Sequence, residues 1–214
     1  DDIISKLKQD AIDARDKVID LASEISNARI KQAKKFATEL EERALPLGMK
    51  NLQCEIAVTQ SGEITATGID KVEFLFAFNK NQQLLPVGNS ASGGEISRLM
   101  LSIKSIIADK MQLPSIIFDE VDTGVSGDVA NRMGEMMQKI SKNIQVIAIT
   151  HLPQVAAKGA HHYKVYKEDD ANSTYTYIKE LSPEQRIDEL AIMLSGSIVN
   201  DAARANAISL LNNN

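Results

Sequence analysis

Two short apolar runs constrain this sequence more than any other feature. Ile116-Ile117-Phe118 follows the breaker Pro114 and stops on two adjacent carboxylates, Asp119 and Glu120. Val146-Ile147-Ala148-Ile149 stops on Thr150 and His151, just before Pro153. A continuous apolar run of this length bounded by a breaker reads as a strand of the buried, parallel kind. In open α/β sheets ligands bind outside the carboxyl ends of the strands, so Asp119, Glu120 and His151 are expected to share one edge. Neighbouring residues on a strand point to opposite sides. Asp119 and Glu120 are therefore expected to divide their labour. In a nucleotide site one carboxylate holds Mg²⁺, directly or through water, and the other orients the attacking water as base. The plain alternative is a solvated loop entry.

A third motif precedes these. Ala91-Ser92-Gly93-Gly94-Glu95 leads into an apolar-periodic run, Ile96, Leu99, Met100, Ile103, Ile106 and Ile107. The serine and glycines thus fall at a helix N-terminus, whose free N–H groups and positive dipole end suit a phosphate. The competing reading is a capping box, Ser92 with Glu95 three residues on.

Taken together, the order and spacing of these motifs resemble the ATP-binding-cassette head of the SMC-like family. ASGGE is similar to that family's signature motif, SIIFDE to its Walker B strand, Asp122 in EVDTGVSG to its D-loop aspartate, and His151 to its switch histidine. The surrounding wording, GNSASGGEISRLMLSIKSII and ITHLPQVAAKGAHHYKVYK, resembles the bacterial DNA-repair members more than the chromosome-condensing ones. The resemblance runs from about Leu47 to Ser195. It implies an α/β fold: the C-terminal lobe of an ABC/SMC-type ATPase head, a P-loop-NTPase-like sheet flanked by helices.

The resemblance also implies roles. Glu120 and His151 would be catalytic, Asp119 would hold Mg²⁺, and Ser92, Gly93, Gly94, Glu95 and Asp122 would contact ATP. The site would form between two heads of a homodimer, in a protein that acts on DNA in double-strand break repair and recombination in the bacterial cytoplasm. The sequence departs from the family in one respect: it contains no G-x-x-x-x-G-K-[ST] phosphate loop. In the family that loop lies in an N-terminal lobe before a long coiled coil. That lobe would be a required partner, and this chain alone is expected to be inactive. The rival reading is a non-catalytic coil-bearing docking module.

The first 45 residues read as a helix. Ile4, Leu7, Ala11, Ala14, Val18, Leu21, Ile25 and Ala28 recur at spacings of three and four, the seam of a coiled coil. After Ala28 the register slips to Ala33, Phe36 and Leu40 before Pro46 and Gly48 stop the helix. Residues 1–46 are accordingly the end of a coil and 47–214 the lobe. The chain starts mid-pattern on Asp1-Asp2, as a piece of a longer helix would. The seam makes a coil the better reading than a helix packed on its own domain. Lys31, Lys34 and Lys35, with Arg29, read as a solvated face.

From Leu52 the period becomes two. Leu52, Cys54, Ile56 and Val58 form one strand, Gln60-Ser61-Gly62-Glu63 a turn, and Val72 to Phe78 a second strand whose phenylalanines pack. A helix is expected near Asp128 to Ile140 and a hairpin around Asp169-Asp170-Ala171-Asn172. A helix opened by Ser182-Pro183 and ended by Gly196 follows, with a last helix after it. His161 and His162 lack a third ligand at metal spacing.

Composition sets the outer bounds. With 214 residues, 43% apolar and 25% charged, the chain can bury a good-sized core. No apolar run approaches the roughly 20 residues of a spanning helix. One cysteine excludes an internal disulfide framework, and a net charge of −5 argues against a nucleic-acid clamp over the whole surface.

Overall fold

A computed structural model describes residues 2–89, 91–111, 113–119, 121–170, 173–196 and 199–212. It divides into two compact units, residues 1–45 with 49–92 and residues 46–48 with 93–214. The first unit therefore joins the long helix to the strands that follow it, rather than ending where the helix ends.

Helix α1 spans Asp2–Ala44. The residues described before Ala22 are all exposed, and the seam stands in solvent, with Leu7 63% and Leu21 50% exposed. The buried stripe is a different one: Ala22, Ser26, Leu40 and Ala44, joined by half-buried Ala33 and Phe36. Burial against its own unit thus begins at Ala22, ahead of the slip after Ala28.

Strands β1 (Gln53–Thr65), β2 (Gly68–Ala77) and the two-residue β3 (Leu85–Pro86) form an antiparallel sheet in that order. Gln60 to Glu63 is not the turn that the sequence suggests. β1 runs through it, and the reversal comes at Ala66-Thr67, where Thr65 pairs with Gly68. Between Gln60 and Thr65 the register shifts, and the bulge is held by the Ser61 hydroxyl, which bonds the carbonyls of Glu63 and Ile69. Gly62 supplies the positive φ of 82° that the bulge needs.

One buried carboxylate fastens α1 to this sheet. The Asp70 side chain is 1% exposed; it accepts from Ser26 Oγ at 2.7 Å and from Arg29 at 3.0 Å. Arg29 also donates to the Thr67 carbonyl at the turn. It is thus drawn away from the basic face on which the sequence places it beside Lys31 and Lys34. Phe36 meets Phe74 edge to face, with ring centroids 6.2 Å apart, and Phe76 and Phe78 are buried. Glu41 accepts the backbone N–H of Cys54.

The second unit holds α2 (Gly93–Met111), β4 (Ser115–Asp119), α3 (Gly127–Ile140), β5 (Gln145–Ile149) and the short α4 (Pro153–Lys158). An antiparallel hairpin, β6 (Tyr163–Asp169) and β7 (Thr174–Glu180), and helices α5 (Pro183–Ser195) and α6 (Asp201–Asn212) complete it. β4 and β5 pair in parallel, Ile117 opposite Ile147 and Asp119 opposite Ile149. Ile116 and Phe118 turn into a core with Leu101, Met133, Met137, Ile140 and Val155. The opposite face is open: Ile117, Ile147 and Ile149 are 54%, 45% and 53% exposed. The sequence reads both strands as buried on both faces, but this sheet has one covered face and two strands. α5 begins with a full capping box, Ser182 with Gln185, and proline in its first turn. Among the described residues no helix is long and apolar enough to cross a membrane.

Two outcomes follow. Arg29→Ala strands the Asp70 carboxylate and lowers stability in urea unfolding by about 2 kcal/mol, below the range for fully buried pairs because Arg29 is partly solvated. Lys34→Ala stays within about 0.5 kcal/mol. Burial, reinforced by Glu41, pushes the Cys54 thiol up to about 12. A raised pKa keeps the thiol protonated. Alkylation of the native chain in mildly alkaline buffer should therefore be slower than that of the urea-unfolded chain by about a hundredfold or more.

Candidate functional site

The parallel register of β4 and β5 decides what meets at the site. Asp119 ends β4 opposite Ile149, so the segment after Asp119 and the segment after Ile149 leave the sheet at the same edge. Asp119 is exposed there, on the sheet face that carries Ile117. Glu120, the residue that the sequence makes the base, lies outside the described residues.

Asp122 is turned inward. It is 1% exposed, one of four buried polar residues among those described. Its Oδ2 accepts the Thr150 hydroxyl, and its Oδ1 lies 3.5 Å from His151 Nδ1. The Asp122 carbonyl accepts the Val125 N–H, closing the turn that leads to α3. Asp122 is not the cap of that helix; Ser126 holds the N-cap position.

His151 presents a ring that is 64% exposed. The turn beneath it is built by Thr150, whose hydroxyl accepts the Leu152 N–H at 3.0 Å. α4 starts directly beyond, with Pro153 at its first position. Its far end is clamped by Arg186 of α5, which donates to the carbonyls of Ala156, Ala157 and Gly159 at 3.2, 2.7 and 2.5 Å. A cation on the last carbonyls of a helix both satisfies orphan acceptors and suits the dipole. The sequence marks Thr150 only as a strand-end residue and does not single out Arg186. A hydroxyl two residues ahead of the N-cap Leu152 is a local turn signal that points to Thr150. Nothing in the sequence points to the long-range clamp of Arg186.

The tip of α2 packs on the Asp122 turn. A Cβ placed on Gly94 would meet the Thr123 carbonyl at 3.3 Å, and Gly124, at φ +72°, approaches the Gly94 Cα. Gly93 has open space around it, and Glu95 is half-buried in the first turn. Ser92 is exposed and closes the first unit. Within the second unit, then, Gly94, the Asp122 turn and the Thr150–His151 turn form one connected surface. Further along α2, Lys104 donates to the Ile117 carbonyl at 3.2 Å and lies 5.4 Å from the Phe118 ring centre.

Among the described residues no three His, Cys, Asp or Glu are grouped to hold a metal ion. A single exposed carboxylate such as Asp119 fits Mg²⁺, which takes one or two carboxylates and completes its shell with phosphate and water. Of the other two histidines only His161 has a partner for Nδ1, while His162 Nδ1 is buried without one. His161 Nδ1 pairs with Glu180 at 2.8 Å. Burial, reinforced by Arg186, pulls the His162 imidazole below its ordinary range.

No family model matches the sequence. Whole sequences do. The chain is 41% identical over 191 residues to the DNA repair protein RecN of Vibrio cholerae, covering 89% of this chain and 34% of that protein. It is 38% identical over 207 residues to RecN of Rickettsia felis, covering 97% and 38%. The chain thus spans little more than a third of the length of these relatives. Its fold is that of SMC heads: the Smc head domain with coiled coil and joint from Pyrococcus yayanosii superposes with a TM-score of 0.67 at 17% identity, over 87% of this chain and 34% of the other. The chain belongs to the RecN family and matches the C-terminal part of its members.

Proposed function

We propose that this chain supplies the acid-bearing and serine-glycine parts of an ATP-hydrolysing site in a protein of DNA double-strand break repair and recombination. The observation that carries this reading is the shared edge: parallel strands bring Asp119 and the Thr150–His151 turn together, and Gly94 seats the tip of α2 on the Asp122 turn. The kinship with DNA repair proteins and the SMC-head fold support the general role. Residues 1–46 act as the end of a coil and 47–214 as the lobe. This functional division cuts across the compact units, because α1 is fastened to its neighbouring strands.

In this reading Asp119 holds Mg²⁺ directly or through water, Glu120 orients the attacking water, and His151 faces the γ-phosphate. Bound Mg²⁺ supplies charge neutralisation on the phosphate oxygens. Ser92, Gly93, Gly94 and Glu95 face the nucleotide held by a second copy, with Asp122 close to that junction. ATP then closes a head-to-head homodimer, and its hydrolysis opens it. Phosphoryl transfer of this kind needs positioning and electrostatics more than covalent chemistry. The phosphate loop comes from an N-terminal lobe of the longer protein, and the open Ile117, Ile147 and Ile149 face is where further strands or helices cover the sheet. DNA is the substrate on which the whole protein acts, in the cytoplasm near the nucleoid.

One observation favours a second reading, a docking module without turnover: the apolar seam of α1 is open to a partner helix. The two readings separate on one substitution. In the longer protein Glu120→Gln should preserve ATP-driven dimerisation while lowering hydrolysis by about a hundredfold or more. Undiminished turnover would remove Glu120 from the base role. Undiminished DNA repair in cells carrying Glu120→Gln would favour the docking module.

A further inference from the structure

Asp122 carries more buried charge than its known bonds account for. Carboxylates are almost never fully buried unless paired. At 1% exposure, Asp122 has one oxygen bonded to Thr150, while Oδ1 has no hydrogen-bond donor within reach. Burying an acceptor in that state is unfavourable, because its lost hydration is not replaced. His151 Nδ1 lies 3.5 Å from this oxygen, longer than an ordinary hydrogen bond, on a ring that is 64% exposed.

Thr150 fixes which way this pair can be wired. A hydroxyl has one proton to give and lone pairs to accept with. Its acceptor side takes the Leu152 N–H, and its proton goes to Asp122 Oδ2. Thr150 thereby ties the end of β5 to the turn after β4 and holds the carboxylate with Oδ1 toward the imidazole. Val125, by contrast, bonds the Asp122 backbone and not its side chain.

We propose that Thr150 and Asp122 are positioning residues for His151. The carboxylate, held by the Thr150 hydroxyl, accepts a hydrogen bond from Nδ1–H, so the ring is kept as the Nδ1–H form with Nε2 presented outward as acceptor. A carboxylate behind a histidine sets the tautomer and orientation of the ring in just this way. The wiring needs no nucleotide. Its consequence for turnover rests on the proposed role of His151 at the γ-phosphate.

The two parts are tested separately. Long-range ¹H–¹⁵N spectra of this chain, recorded where the ring is unprotonated and assigned through His151→Gln, read the tautomer directly. The wild type and Thr150→Ser should show Nδ1–H. Asp122→Asn should invert the pattern to Nε2–H, because the amide group donates to Nδ1 where the carboxylate accepted. Thr150→Val, which keeps the shape and loses the hydroxyl, should move the ring toward Nε2–H. A wild-type ring in the Nε2–H form, or an unchanged pattern in a folded Asp122→Asn chain, would overturn the proposal.

In the longer protein, Thr150→Val and Asp122→Asn should lower kcat for ATP by about ten- to a hundredfold with a much smaller change in KM, and Thr150→Ser should restore most of the loss. Tautomer changes with undiminished kcat would leave the wiring standing and remove His151 from the hydrolytic step.

Discussion

The parallel pairing of two short strands is the constraint on which the rest depends. Had β4 and β5 run antiparallel, Asp119 and His151 would sit at opposite ends of the sheet, and no single ligand could meet both. With Asp119 opposite Ile149, two loops leave one edge, and the Asp122–Thr150 hydrogen bond sews them together. The same pairing leaves a debt. Parallel sheets are covered on both faces, yet Ile117, Ile147 and Ile149 are about half exposed on one face. Fully covering such side chains is worth about 1.5–3 kcal/mol each. A sheet of this kind gains several kcal/mol by acquiring a cover, which is the physical ground for the proposal that another part of a longer protein lies on this face.

The long helix divides its length between two kinds of burial. Its first half carries an apolar seam that nothing in the described structure covers. Its second half turns a neighbouring stripe onto the β1–β2 hairpin, where Leu40 and Ala44 are fully buried and the Asp70 carboxylate is paired with Arg29 and accepts a hydrogen bond from Ser26. A carboxylate at 1% exposure is a strict requirement, because any rotation of the helix that withdrew Arg29 would leave it uncompensated. The helix and hairpin are therefore fixed in register with each other.

Much of this was legible in the residues, for identifiable reasons. The spans of α1 and α2 follow from apolar periodicity and the start of α5 from Ser182-Pro183, because these signals are local, whereas the short α4 has no such signal. The two strands of the second unit were visible as uninterrupted apolar runs, but the run could not tell how many neighbours the sheet has; hence Ile117, Ile147 and Ile149 read as buried and are open. The β1–β2 turn was misplaced because Gln60-Ser61-Gly62-Glu63 has turn chemistry and uses it for a bulge. Arg29 looked like part of a solvated basic face, since its partner Asp70 is 41 residues away. At the site, Asp119, Asp122 and His151 were singled out by position and resemblance. Thr150, whose hydroxyl ties Asp122 to the His151 turn, carries no sign of that role in the sequence, since its bond to Asp122 spans 28 residues and exists only in the folded chain.

The central claim is that the nucleotide pocket is composite, and calorimetric titration with MgATP tests it most directly. The chain is titrated alone and after co-expression and co-purification with the N-terminal lobe of the longer protein. The account predicts no tight binding to the chain alone and saturable MgATP binding to the joined species. Tight MgATP binding by the chain alone, or none by a well-folded joined species, would contradict it.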